Sequence, residues 1–300
     1  MKIGFACINL TLSNSKPRIT TNRGMIKNTF LKKGVRYAED LILLNLTDLF
    51  TILKWNLNKG IKFFRLSSDI FPWGTHYNIT ELTKFSIINS MLVDIGKFVN
   101  DNDIRLTFHP GPFNVLASPR LSVVENTIRE LKLHGEILDL LKLDRSPYNK
   151  INIHCNGVYG NKKDSMNRFC QNFNKLPNSV KSRLTIENDD KPSMYSVKDL
   201  VYIHEQIGVP IVFDYHHHKF CSGNLSEKEA LKIAVSTWPT SINPVVHYSE
   251  SKSRHEKNDN IKPQAHSDYI NTLPNTYGFD VDIMVEAKAK EQSILRFINP

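Results

Sequence analysis

Glycine is scarce in this sequence, 13 of 300 residues, and no glycine-rich turn follows the first apolar run, which continues as INLTLSNSKP. That absence argues against a doubly wound nucleotide-binding sheet, whose first turn must let backbone approach a pyrophosphate, so no nucleotide cofactor is expected. Cysteine is scarcer still: the four, at 7, 155, 170 and 221, form no C-x-x-C pair and no spacing of a zinc module or disulfide framework. A reducing intracellular compartment, cytoplasm or nucleus, is the expectation, with the cysteines serving as small apolar residues. No apolar run reaches the roughly 18 residues of a membrane span, and MKIGFACINL lacks a charged leader and a small-residue cleavage site. Neither membrane insertion nor secretion is indicated. No Pro/Ser-rich linker, low-complexity tract or short repeat divides the chain, so one domain over residues 1–300 is the simplest organisation.

Acidic residues are outnumbered, 30 against 39 Lys+Arg, leaving a net charge of +9. Such a balance favours a polyanionic partner such as nucleic acid. Lys2, Lys16, Arg18, Arg23, Lys27, Lys32, Lys33 and Arg36 all precede the first carboxylate, Glu39. An exposed loop in that stretch would form a phosphate-binding surface.

Short runs rich in Val, Ile and Phe start near residues 2, 61, 103, 150, 183, 209, 243 and 281, which predicts eight strands. Helical periodicity fills most of the gaps, at 39–56, 81–100, 122–142, 196–206, 226–236 and 288–297. Continuous apolar strands alternating with amphipathic helices imply a parallel sheet covered on both faces. Eight repeats in this length predict an α/β fold, a single (β/α)8 TIM barrel.

Chemistry in such a barrel sits at the C-terminal ends of the strands. The third run ends at His109, the fourth at His154, the fifth at Glu187, the sixth at Asp214, the seventh at His247 and the eighth at Glu286. Six consecutive strands ending in imidazole or carboxylate have one common explanation, ligands converging on divalent metal. With the further histidines of the chain the candidate ligands number eight, more than one coordination sphere of about four to six holds, which predicts two or more ions. Mixed nitrogen and oxygen donors without thiolate suit Mn2+ or Zn2+, with Mg2+ admissible. Bridging carboxylates between neighbouring ions are typical of sites that hydrolyse phosphate esters. Of His216, His217 and His218, strand alternation lets only some face the centre. His134 and His204 read as surface residues of helices, and His255 as part of a solvated loop. His76 falls on a loop at the active face, and His266 at the mouth suits a further ligand.

Taken in order, TTNRGMIKNTF, ILKWN, FFRLSSDIFPW, FHPGPFNVLASPR, INIHCNG, TIEND, FDYHHH, AHSDYI and MVEAKAKE resemble the UV damage endonuclease family, over nearly the whole chain. The family is similar in design to endonuclease IV, an apurinic-site nuclease with a trinuclear metal centre. The resemblance implies that His109, His154 and Glu187 hold one ion, that Glu187, Asp214, His247 and Glu286 hold a second with Glu187 bridging, and that His217 and His266 hold a third. It makes His76, with Glu187, a catalytic candidate, and places Asn9 near the substrate. Arg18, Arg23 and Lys27 of the first loop would grip phosphates, and Pro112 and Phe113 would meet the damaged duplex. Three positions depart from the family pattern: Pro112 stands where relatives carry glutamine, Val245 where some carry a modified lysine, and Phe5 where some carry tyrosine.

The expected activity is a metal-dependent DNA repair endonuclease that cuts the phosphodiester bond 5′ to UV photoproducts and related lesions in double-stranded DNA, acting as a monomer. The competing readings are an apurinic-site endonuclease of the endonuclease IV type, a metal-dependent sugar isomerase or epimerase, and a DNA-binding protein without catalysis. The sugar enzymes account for the carboxylates but not for the basic first segment or for so many histidines.

Overall fold

Every predicted apolar run forms a strand: β1 (Ile3–Ala6), β2 (Phe63–Arg65), β3 (Arg105–Thr107), β4 (Ile151–His154), β5 (Leu184–Glu187), β6 (Ile211–Asp214), β7 (Val245–Tyr248) and β8 (Asp282–Val285). The computed structural model describes residues 1–298. The strands are parallel and ordered β3-β2-β1-β8-β7-β6-β5-β4. A parallel bridge between Phe108 and Ile151 joins the two ends, where the Phe108 N–H donates to Lys150 O at 2.9 Å and the Asn152 N–H to Phe108 O at 3.0 Å. The sheet is thereby a nearly closed TIM-type barrel wrapped by helices, as the alternation predicts.

The long helix Lys27–Asn58 starts earlier than its periodicity suggests and breaks at Gly34 (φ 66°), a left-handed conformation that glycine adopts without penalty. Beyond the break Ile42, Leu46, Leu49 and Leu53 lie buried against the barrel. Helix Lys162–Phe173 escaped the periodicity reading because its sequence, KKDSMNRFCQNF, is mostly polar; Met166, Phe169 and Phe173 are its buried apolar side chains. Among the described residues no helix is long and apolar enough to cross a membrane.

Two histidines differ from the surface positions expected of them. His134 is fully buried in helix Leu121–Leu140, donating from Nδ1 to Glu130 O at 2.7 Å and accepting at Nε2 from the Ser68 hydroxyl at 3.1 Å. A neutral imidazole satisfied at both nitrogens is compatible with the core, which polarity alone does not reveal. His204 is half-buried and turns back to Val209 O at 3.0 Å. At the N-terminal end of the barrel Arg105 is fully buried, paired with Asp282 at 2.8 Å and bonded to the carbonyls of Asn243 and Tyr148. This end is thus plugged, and the open end is the one where the polar strand termini gather.

Candidate metal centre

Glu187 closes β5 and is fully buried. Four histidines face its carboxylate: Oε2 lies 3.1 Å from His109 Nε2 and 3.8 Å from His154 Nε2, while Oε1 lies 3.0 Å from His247 Nδ1 and 3.6 Å from His217 Nδ1. Register produces much of this, since His154 pairs with Glu187 across β4 and β5, and Asp214 with His247 across β6 and β7. His217 arrives differently. Residues Tyr215–His218 form one helical turn, with Asp214 as N-cap accepting from the His217 N–H at 2.8 Å, so strand alternation does not govern the histidine run. The turn sends His217 toward Glu187, and His216 bonds through Nε2 with Gln264 O at 3.1 Å.

Three groups of side chains each present ligand atoms within 4.8 Å of one another: His109, His154 and Glu187; Glu187, Asp214 and His217; and His109, His247 and Glu286. The first is the set that the family resemblance implies. The other two redistribute the expected ligands, joining His217 to Asp214 and His247 with Glu286 to His109. His266 enters none of these groups: its Nδ1 donates to Glu286 O at 2.8 Å and its ring packs at 5.4 Å on His216.

Side chains and carbonyls behind the ligands fix which ring nitrogen points inward. His109 Nδ1 turns to Pro110 O at 3.3 Å and His217 Nδ1 to Asn188 O at 2.8 Å. For His154, Nδ1 lies 3.3 Å from Asp189 Oδ1. His247 Nε2 lies 3.2 Å from both Arg65 Nη2 and Lys150 Nζ. A guanidinium only donates, so Nε2 must accept and Nδ1 is the nitrogen presented to Glu187 and Glu286. Arg65 also pairs with Glu286 Oε1 at 2.5 Å. Beneath Glu187, the Thr185 hydroxyl donates to Asn152 Oδ1 at 2.7 Å, and the Asn152 amide donates to Glu187 Oε2.

Burial opposes charge throughout this cluster, and neighbours decide the outcome. His247, His154 and His109 overcome it at Glu187, holding the carboxyl well below the usual carboxylate range. Burial also opposes a charged His154, yet Glu187, Asp189 and Asp214 lift it to about 10. Burial drives His247 down to about 3 against the pull of Glu187, and Lys150 and Arg65 add to the drop. Burial raises Asp214 to about 6, opposed by His217 and aided by Glu187 and Glu286. The carboxylate oxygens Glu187 Oε1 and Asp214 Oδ2 are buried without a hydrogen-bond partner. Orphaned acceptors at such positions match a donor set built for divalent cations.

The family profile described as UV-endonuclease UvdE matches residues 1–300. The chain belongs to that family. It is 36% identical over 98% of its length to the UV-damage endonuclease of Schizosaccharomyces pombe, of which it spans only about half (49%). It is 35% identical over its full length to the UV DNA damage endonuclease of Clostridium perfringens, covering 70% of that protein. The crystal structure of SacUVDE superposes with a TM-score of 0.86 at 33% identity, covering 99% of this chain and 96% of the other. Endonuclease IV from Thermus thermophilus (TM-score 0.57, 11% identity, 83% and 93% covered) and D-psicose 3-epimerase from Clostridium cellulolyticum (0.53, 11%, 96% and 85%) share the fold alone.

Around the centre of this UvdE-family chain, the expected substrate contacts divide into free and engaged side chains. Phe113 is 89% exposed on the loop after β3, with Pro112 exposed beside it. Arg18 and Lys27 are exposed. Arg23 is engaged instead: it pairs with Asp48 at 2.6 Å and donates to the carbonyls of Thr20 and Arg18, clamping its own loop. Asn9 is buried and accepts from the Leu12 N–H at 2.9 Å as an N-cap. His76 is exposed, its ring 4.9 Å from Trp73, which in turn stacks on Phe30. His255 sits in a short helix, Lys252–Glu256, paired with Glu250.

Sequence reasoning missed Arg65, Lys150, Asn152 and Asp189. Arg65 ends β2 in the same way that the ligands end theirs, so the strand-end rule extended to the second run would have found it. Asn152 lies two residues before His154 on the same face of β4, and period-2 alternation from the ligand points to it. Lys150 precedes the strand as observed, and its polarity hid a fully buried position.

Proposed function

We propose that this chain is a metal-dependent DNA repair endonuclease that hydrolyses the phosphodiester bond 5′ to UV photoproducts and related lesions in duplex DNA, acting as one barrel domain over residues 1–300. The observation that carries the reading is Glu187, a buried carboxylate faced by four histidines and shared by two of the three ligand groups. Carboxylates that bridge neighbouring cations are the arrangement of phosphodiester hydrolysis. His109, His154, Glu187, Asp214, His217, His247 and Glu286 would hold two to three divalent ions, Mn2+ or Zn2+. Bound there, such ions supply Lewis acidity, lowering the pKa of water and neutralising the charge that grows on phosphorus and the leaving 3′-oxygen.

The protein contributes position and field. Asn188 O and Pro110 O hold the imidazoles of His217 and His109 in fixed orientations, whereas His247, oriented by Arg65 and Lys150 at Nε2, would have to give up its Nδ1 proton to bind an ion. Arg65 balances one of the three clustered carboxylates, Glu286. Exposed Arg18 and Lys27 attract the duplex through its phosphates. The scissile phosphate reaches a recessed site only when the duplex is bent or its bases are extruded, and a photoproduct step is already weakly stacked. Phe113, almost wholly exposed beside the His109 loop, is suited to wedge into that opened step. His76 stands on the same face for contact with substrate. A sugar epimerase reading leaves the exposed cations and Phe113 without a task.

The test is a duplex with one photoproduct, end-labelled on the damaged strand and incubated with protein stripped by chelator and then given Mn2+, Zn2+ or Mg2+. A single product ending immediately 5′ of the lesion, dependent on added metal, supports the reading. Cutting at apurinic sites alone, or ketose epimerisation without cutting, overturns it.

A further inference from the structure

A cleft of about 860 Å³ opens between the loops after β2, β3 and β4, lined among others by His76, Phe113, Arg120, Arg129 and Tyr159. None of the seven residues grouped as metal ligands lines it. Whatever occupies it therefore sits beside the metal centre. Two large aromatic side chains in its wall are exposed, Phe113 at 89% and Tyr159 at 44%.

Tyr159 is held in place while its ring stays accessible. Asn156, Gly157, Tyr159 and Gly160 all have positive φ, 54°, 49°, 47° and 83°, a conformation uncommon for tyrosine. A methyl group at Gly157 would run into the Tyr159 ring, so the glycine leaves room for it. The Arg168 guanidinium lies 5.6 Å from the ring centroid and is itself fixed by Ala117 O at 2.8 Å and Ser165 Oγ at 2.7 Å. A ring kept at the surface by strained backbone and a bound arginine is prepared for a flat partner. The cleft also suits an anion attached to that partner: Arg120 is exposed and, among the described residues, joins no ion pair, and Arg120 and Arg129 outnumber Glu130, the acid in the lining.

We propose that this cleft takes a single unstacked nucleobase from the opened duplex, with Tyr159 as its stacking platform, Phe113 opposite, and Arg120 on the attached phosphate. The inference rests on the endonuclease reading above and deepens it: Tyr159 determines which duplexes are held, by how readily they give up a base. Every base has a face to stack, so the preference follows ease of unstacking more than base identity. The base comes either from the damaged strand or from the strand opposite.

The test measures binding in chelator, where no cutting occurs, for duplexes with and without one photoproduct. Tyr159→Ala should lose about ten- to a hundredfold in affinity for the damaged duplex, keep its affinity for the undamaged one, and be rescued by Tyr159→Phe. Abasic nucleotides placed in turn opposite and beside the lesion should abolish the effect of Tyr159→Ala at one position, which identifies the source strand. Should Tyr159→Ala melt early, Tyr159→Leu carries the same comparison. Equal weakening on both duplexes, or an effect that survives every abasic placement, would overturn the role of Tyr159. Wild-type protein that binds both duplexes alike would overturn this inference, while the cutting assay above decides the endonuclease reading on its own.

Discussion

Lys150 Nζ lies 3.2 Å from His247 Nε2, on the inner side of a ring whose other nitrogen faces the Glu187 carboxylate. Burial, and then Arg65, push the Lys150 amine well below the usual lysine range. Arg65 shares the contact with His247 but also pairs with Glu286, so the two cations are not equivalent. Arg65→Met leaves Glu286 without its partner and should cost about 3 to 5 kcal/mol. Lys150→Met removes a desolvated cation and should be neutral or stabilising, while Arg65 keeps His247 protonated on Nδ1 in the metal-free protein. Urea titrations give the stabilities and 15N shifts of the imidazole report the tautomer. Equal losses for both variants would show that Lys150 is a partner of the carboxylates as necessary as Arg65.

Burial pushes His134 down to about 4, opposed by its hydrogen bond to Glu130 O. Its pKa is lower folded than unfolded, where it is about 6.5, so between these values the unfolded chain binds a proton that the native state excludes. Stability attributable to this group is present at pH 7 and falls as pH drops through that window. Between pH 7 and 4.5 the wild type should lose roughly 2 kcal/mol more than His134→Gln. Parallel pH profiles of the two urea midpoints would mean that His134 accepts a proton in place.

Phe113→Ala should lower cleavage of photoproduct DNA by roughly ten- to a hundredfold. At 89% exposure the side chain contributes little to the core, so the melting temperature should stay where it is. A variant that melts early and keeps its lesion preference would place Phe113 in packing and send the search for the wedge elsewhere.

Reversing charge separates the two kinds of basic residue ahead of and at the start of the helix Lys27–Asn58. Arg23→Glu breaks the Asp48 clamp and should lower stability by roughly 1 to 3 kcal/mol. Lys27→Glu, on an exposed side chain, should leave stability alone and flatten the slope of log affinity against log salt by about one unit per lost phosphate contact. Melting curves and salt titrations check both. A Lys27 variant with an unchanged slope would not be a phosphate contact.

The barrel was legible because parallel strands covered on both faces must read as unbroken apolar runs, and KINIH, RLTIE and VPIVFD do. The clustered histidines and carboxylates were legible because a polar residue closing such a run has few other uses. Their grouping was not. Which histidine groups with Asp214 depends on the helical turn that Asp214 caps, a local event that strand alternation does not foresee. His134 and Lys150 stayed hidden for another reason: a polar side chain buried with partners has the same sequence appearance as one in water, and only the fold supplies Ser68 or His247 beside it.

Glu187→Gln tests the central claim most directly, because a neutral amide does not bridge two cations yet leaves the basic surface unchanged. Nicking of UV-irradiated supercoiled plasmid, measured beside metal content and DNA affinity, is the readout. The account predicts loss of nicking and reduced bound metal with near wild-type affinity for DNA. Nicking at near wild-type rate by the variant would contradict it.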